Sequence, residues 1–382
     1  MRVCIVTPYD LSHDGGVNRH VLGLAGALRA LGHEACVLGP ASGGAPEGCE
    51  IVGRAVPVPA NGSVARIGLL APPAATRERL ARGAFDVVHV HEPLVPGPGR
   101  HALRHARVPV VATFHANDDR ELPLFRALRA AAAGPLARVD FGIAVSRPAK
   151  AFSRAIYRGR TAVVPSGVDL ASFASEASPP ARAGPLGVLF VGRFGEARKG
   201  FPLLLDAVAR LRAAGREVAV DVVGAGRADR PLRARRLGIR FHGRVCDAEL
   251  AARYRAADVF CAPSLGRESF GMVLVEAMAA GCPVVASALP GYAEATRGAA
   301  LLVPPGDAAA LAAALWQAGR GDHALRAALV RRGRERAAAL SWSRIAVQVL
   351  QVYRRAGAEA GALDPACALA EPSTPAALEG TA

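Results

Sequence analysis

The chain has 382 residues, 51% hydrophobic and 21% charged, a globular balance with apolar mass for about two domains of roughly 100–200 residues. Disorder over most of the length is excluded, and so is a membrane-spanning helix, because no stretch offers ~20 consecutive apolar residues. Net charge is +15, which points to an anionic partner: nucleic acid, anionic lipid or a phosphorylated substrate.

The first residues, Met1 to Val6, run straight into an apolar strand pattern and reach Tyr9-Asp10 too early for a secretory signal. A cytoplasmic location is therefore expected. Apolar runs at 3–6, 35–38, 87–90, 108–112 and 142–145 predict strands. Between them lie helical patterns, such as 17–31, where Val21, Leu24, Ala25 and Leu28 recur at helix spacing until Gly32 stops the run. Strands alternating with helices imply parallel βαβ units over residues 1–173, the first domain. Residues 174–186 have no periodicity and contain three prolines, and they read as a linker. The alternation restarts with strands at 187–191, 218–223, 259–262 and 283–286 and helices at 201–213 and 270–280.

The second domain is thus placed at 187–340. A last helix at 341–355 is expected to return to the first domain. Residues 356–382 hold Glu359, Asp364, Glu371 and Glu379 but no Lys or Arg; they read as a disordered acidic tail of charge −4, leaving +19 on the rest. The fold class is α/β, two Rossmann-like doubly wound domains facing across a cleft. In such sheets ligands bind beyond the carboxyl ends of the strands, so the cleft is the expected site.

Seven scattered cysteines without a Cys-x-x-Cys pair argue against a disulfide framework and a zinc site. His89 and His91 have a spacing that could suit zinc, but their period-two placement on a strand fits a structural role better. Gly15-Gly16 before the helix at 17 would let the backbone approach an anion at a helix N-terminus; a plain βα loop is the alternative. Arg193 and Lys199 lie six apart on one strand-to-helix loop and could clamp a diphosphate. Lys199 is one of only two lysines, with Lys150. Glu268 precedes a predicted helix, and Glu276 follows two turns later among Val275, Ala277 and Met278. A carboxylate on such an apolar face needs a partner, either a salt bridge or a ligand hydroxyl.

Together, Glu268-x7-Glu276, Gly192-Arg193, Arg198-Lys199-Gly200 and Gly15-Gly16 resemble the retaining glycosyltransferases of family 4, which have the GT-B fold. Within that family, Pro8-Tyr9, Gly15-Gly16-Val17, the segment from Asp86 to Pro93, Ala112 to His115, Ile143 to Ser146 and the run from Glu268 to Gly281 are most similar to inositol-lipid mannosyltransferases. The resemblance implies that Arg193 and Lys199 hold the sugar-nucleotide diphosphate, with support from the Gly16 amide. It places Glu268 against the donor sugar, Ser269 in the donor site, the backbone of Phe270, Gly271, Met272 and Val273 along the nucleotide, and Glu276 on the ribose. His115 would face the transferred sugar near the reacting centre, with Tyr9 and Asn18 on the acceptor side. No cofactor or metal is called for: the substrates would be GDP-mannose or a UDP-sugar and a lipid or inositol-type acceptor. The enzyme would then act in the cytoplasm, peripherally on the inner face of the membrane.

Three positions depart from the inositol-lipid pattern: Asn18, Ala116 and Leu94 stand where Gln, Thr and Asn are usual. The last two remove polar groups from the acceptor side. Other readings are a UDP-sugar transferase with a different acceptor, and a sugar-nucleotide epimerase, which shares the two-domain architecture but needs acid/base carboxylates in the cleft. Nucleic-acid binding finds little support, since aromatics are only 5% and no reader motif is present.

Overall fold

The computed structural model describes residues 1–60, 63–117, 134–174, 184–226, 237–321 and 323–360. Most of the expected linker and acidic tail, 175–183 and 361–382, lies outside the described residues.

The first sheet is built from β1 (Arg2–Val6), β2 (Glu34–Gly39), β3 (Cys49–Ile51), β6 (Val87–His91), β7 (Val110–Phe114), β8 (Phe141–Ala144) and β9 (Thr161–Val163). Its order is β3-β2-β1-β6-β7-β8-β9, and every pairing is parallel. The strands β4 (Val56–Ala60) and β5 (Ser63–Ile67) form a separate antiparallel hairpin. The second sheet comprises β10 (Leu186–Val191), β11 (Val218–Val223), β12 (Arg240–Gly243), β13 (Val259–Ala262), β14 (Val284–Ser287) and β15 (Leu301–Val303). It too is wholly parallel, in the order β12-β11-β10-β13-β14-β15. Central strands such as Val-Val-His-Val-His of β6 are buried throughout, as strands covered by helices on both faces must be.

Each sheet reverses direction once. In the first sheet the order turns between β1 and β6, and in the second between β10 and β13. These switch points open crevices beyond the strand ends, and the loops that follow those four strands and β7 hold most of the residues singled out in the sequence.

Helix α1 (Gly16–Ala30) covers the first sheet with Val21, Leu24, Ala25 and Leu28, the apolar stripe legible in the sequence. Helices α2 (Pro73–Arg82), α3 (Pro98–His105), α4 (Arg147–Arg154) and α5 (Leu170–Phe173) complete that half. In the second half, α6 (Phe201–Ala213), α7 (Asp247–Ala256), α8 (Met272–Ala279), α9 (Pro290–Thr296), α10 (Ala308–Arg320) and α11 (His323–Ala339) flank the sheet. The last helix, α12 (Trp342–Glu359), runs four residues past the expected end at 355 and packs on α1, β7 and β8. It buries Ile345, Val349, Val352 and Tyr353, each worth about 1.5–3 kcal/mol as transferred surface. Its first residue, Trp342, lies against α1 so closely that a Cβ on Gly23 would fall 2.3 Å from the indole.

Arg147, Lys150, Arg154 and Arg158 recur at i, i+3, i+7 and i+11, a spacing that predicts one basic helix face, but the face is shorter than this. Helix α4 ends at Arg154, and the Lys150 ammonium donates to the Thr161 carbonyl at 2.5 Å. Arg147, Arg154 and Arg158 remain exposed. Among the described residues, no helix is long and apolar enough to cross a membrane.

Candidate active site

The loop leaving β10 builds a compact charge network. Gly192 (φ 152°) turns the chain, and Arg193 Nε pairs with Glu196 Oε1 at 2.8 Å. Arg198 bridges two carboxylates, reaching Glu196 Oε2 at 2.9 Å and Glu268 Oε1 at 2.8 Å. Lys199 Nζ is also 2.8 Å from Glu268 Oε1. Ser264 Oγ donates to the same oxygen at 3.1 Å and lies 2.9 Å from the Tyr292 hydroxyl. Three cations thus converge on two buried carboxylates at the strand end, a cluster of positive groups suited to an anionic ligand. Gly200 makes this possible: at φ 68° its missing Cβ would sit 1.8 Å from the Pro263 carbonyl oxygen, so only glycine lets the Lys199 turn press against the loop after β13.

The structure therefore brings Arg193, Lys199 and Glu268 together, as their motif implied. It adds Glu196, which the sequence reading passed over. The available signal was its position three residues after Arg193 on the same loop; a buried carboxylate there fixes the guanidinium directions on both sides.

From Glu268 the chain turns through Ser269 and Phe270 to Gly271 (φ 98°), which precedes α8. No side chain caps this helix and no acidic residue occupies its first turn. The amides at Met272 and Val273 thus form a positive helix end without an internal partner. Glu276, two turns on from Glu268, points elsewhere. Its Oε2 accepts from the Tyr254 hydroxyl at 3.2 Å, and its Oε1 meets Arg19 Nη1 at 3.3 Å. Burial pushes its pKa up, and the Arg19 guanidinium partly offsets this.

On the facing side, Gly15 and Gly16 open α1, exposed, with empty space where a Cβ would be and no side-chain cap. Two residues on, Asn18 is buried and fully engaged: its amide nitrogen donates to the carbonyls of Asp10 (2.7 Å) and His13 (3.0 Å). Asn18 thus braces the 10–13 loop. Tyr9 bridges to Ile67 of β5, and burial, with nearby Glu92, pushes its phenol pKa up.

His115 follows β7. Its backbone amide donates to Glu92 Oε1 at 2.7 Å, and its Nε2 lies 2.9 Å from His91 Nδ1. Glu92 is buried and has φ 47°, an uncommon conformation for a side-chain-bearing residue. Burial raises its pKa to about 7, against the pull of the His115 and Ala116 amides. This is a carboxylate beside the His115 segment that the sequence reading did not find. Asn117 Nδ2 reaches the Glu268 carbonyl at 3.4 Å, which carries the His115 loop onto the second domain's site.

Ring nitrogens of His20, His91 and His115 lie within 4.8 Å of one another, a spacing open to a cation, although the closest pair is already hydrogen-bonded. A cavity of about 500 Å³ opens between Ser12, Asp14, Arg19 and Gly44 on one side and Arg244 on the other. It borders the Gly15-Gly16 end of α1 rather than the Glu268 cluster.

Known proteins match both halves of the chain. Residues 14–172 match "Glycosyltransferase Family 4" and residues 185–319 match "Glycosyl transferases group 1". The phosphatidyl-myo-inositol mannosyltransferase of Mycobacterium leprae is 42% identical over 367 residues, covering 92% of this chain and 96% of that protein. This chain belongs to glycosyltransferase family 4. The phosphatidyl-myo-inositol mannosyltransferase of Propionibacterium freudenreichii is 37% identical, covering 94% of this chain and 96% of that one. Among solved structures, sucrose-phosphate synthase from Thermosynechococcus elongatus superposes with a TM-score of 0.74 at 25% identity, covering 94% of this chain and all of that one. WaaG, a glycosyltransferase involved in lipopolysaccharide biosynthesis, gives 0.68 at 21% identity, covering 92% and 99%. Both share the two-domain α/β architecture that the strand pattern predicts and that the family resemblance identifies as GT-B.

Proposed function

We propose that this family 4 glycosyltransferase moves mannose from GDP-mannose to the inositol ring of phosphatidylinositol, with retention of anomeric configuration. The observation that carries the reading is the identity of 37–42% over more than nine-tenths of the chain to phosphatidyl-myo-inositol mannosyltransferases. The site supplies chemistry in keeping with it. A sugar nucleotide already carries a diphosphate leaving group, so the protein's task is to stabilise departing negative charge. Arg193, Lys199 and the open ends of α1 and α8 provide positive groups for that without redox chemistry or a covalent cofactor.

In this reading the diphosphate takes up part of the positive charge now shared with Glu196 and Glu268, while Glu268 turns to a sugar hydroxyl. The acceptor hydroxyl attacks from the face the diphosphate leaves, near His115. The acceptor side is where the chain departs from the inositol-lipid pattern, at Ala116 and Leu94, so acceptor choice is the point to test. The protein is incubated with radiolabelled GDP-mannose and vesicles with or without phosphatidylinositol. A mannosylated inositol lipid with an α-linkage is expected. Transfer from UDP-sugars only, or transfer indifferent to phosphatidylinositol, would overturn the assignment, and epimerised donor without any acceptor would overturn transfer altogether.

A further inference from the structure

His20, His89, His91 and His115 pack with ring centroids 4.3–5.3 Å apart. Two of them are tied to neighbouring hydroxyl groups. His89 contacts the Tyr353 hydroxyl at 2.8 Å through Nδ1 and Thr113 Oγ1 at 2.6 Å through Nε2. His20 Nδ1 lies 3.0 Å from Ser166 Oγ.

His91 differs. Its Nδ1 meets His115 Nε2 at 2.9 Å, whereas its Nε2 is buried with no hydrogen-bond partner among the described residues. Burial, with the neighbouring rings adding, holds both His91 and His115 well below the usual histidine pKa, so each ring is neutral and carries one proton. A proton on His91 Nε2 would be a buried donor with nothing to accept it, the costlier of the two ways to leave a nitrogen unpaired. The His91 proton therefore belongs on Nδ1, donated to His115 Nε2. His115 must then carry its own proton on Nδ1, the nitrogen without a protein partner among the described residues, on a half-buried side chain.

We propose that His91 is a positioning residue that locks His115 in the Nδ1–H tautomer, so that a neutral imidazole offers a hydrogen-bond donor to the sugar being transferred. Isolated histidine favours the Nε2–H form, so the lock has a measurable job. The tautomer is set by the hydrogen bond at the other ring nitrogen, as it is for histidines in metal sites and catalytic triads. The inference rests on the reading of His115 as the residue facing the transferred sugar.

The test is long-range proton–nitrogen correlation on full-length protein labelled with ¹⁵N-histidine, near neutral pH, together with steady-state kinetics. In the wild type His115 should appear as Nδ1–H. His91→Phe should shift it to Nε2–H and lower kcat by about ten- to a hundredfold with donor KM little changed. His91→Asn, whose side-chain amide can replace the Nδ1–H, should restore the tautomer and most of kcat. An Nε2–H His115 in the wild type would overturn the proposal, whether or not the variants fold. So would folded His91→Phe with unchanged tautomer and kcat, or a stoichiometric divalent metal held by His20, His91 and His115. Full turnover by His115→Ala would instead remove the premise about the site, an outcome separable from the tautomer seen in resting protein.

Discussion

Arg19 and Glu276 meet across the cleft, Nη1 to Oε1 at 3.3 Å, one from the first turn of α1 and the other from the second turn of α8. The same guanidinium reaches Asp247 at the start of α7 at 2.6 Å, so a single side chain ties the first domain to two helices of the second. The carboxylate it holds is the one that family resemblance assigns to the donor ribose. Without donor, then, the closed cleft is held in part by a contact the ribose would have to share.

Removing that contact should open the molecule. Arg19→Ala leaves Glu276 buried with only the Tyr254 hydroxyl, at a cost of about 2 kcal/mol. We expect a larger radius of gyration in solution scattering without nucleotide, return towards the wild-type profile with donor, and a lower urea midpoint. If the variant scatters like the wild type in the absence of nucleotide, the bridge does not hold the cleft.

The charge network after β10 predicts a division of labour. Lys199→Ala removes a charge-assisted contact worth about 1.5–3 kcal/mol, so nucleotide affinity by calorimetry should fall roughly ten- to a hundredfold. Glu268→Ala releases Lys199 and leaves Arg198 paired with Glu196 alone, so nucleotide affinity should hold or rise. Its turnover should nevertheless collapse, because the sugar loses its carboxylate partner. Near-normal turnover in both variants would show that the site lies elsewhere.

The fold was legible because the apolar runs at 3–6, 87–90 and 218–223 are strands buried on both faces, which leave continuous hydrophobic signatures. Shorter strands such as β3, β9 and β15 were missed: three residues carry no period to read. The β4–β5 hairpin was hidden by Pro57 and Pro59. In the site, the glycines and basic residues of the β10 loop stood out as local motifs. Glu92, Glu196 and Arg19 did not. Glu92 and Arg19 act through partners remote in sequence, as when Glu92 receives the amide of His115 twenty-three residues on, whereas Glu196 sits beside Arg193 and Arg198 and only its burial sets it apart from a solvated loop acid. His91 illustrates the same limit, since spacing put it on a strand facing inward but only packing sets its nitrogen against His115.

Membrane docking, which a lipid acceptor would require, falls to fewer residues than the helical spacing suggested. Lys150 is engaged with the Thr161 carbonyl, so Arg147, Arg154 and Arg158 remain for an anionic surface. At about 1 kcal/mol each, the three together would change vesicle affinity by roughly a hundredfold. In flotation assays, binding should rise with phosphatidylserine content and fall with salt. Replacing the three arginines by Gln should release the protein, while Lys150→Gln should have little effect. Binding indifferent to lipid charge would remove this surface from the account.

Glu92 gives the clearest pH signature. Its folded pKa of about 7 stands above the ordinary 4.5 because burial disfavours the charged carboxylate more than the His115 and Ala116 amides favour it. The native state therefore binds this proton more tightly than the unfolded chain does. That contribution is complete below pH 4.5 and is lost as pH rises through about 7. Ionising the group in place should cost the native state about 3 kcal/mol by linkage. Glu92→Gln keeps an oxygen to accept from the amides but cannot ionise, so its stability relative to wild type should improve from pH 4.5 to about 7 and level off above that. Urea denaturation across that range, comparing the two proteins at each pH, measures the difference directly. A constant offset between them would mean that Glu92 titrates as an ordinary carboxylate. The strained turn after β6 would then hold His115 by shape alone.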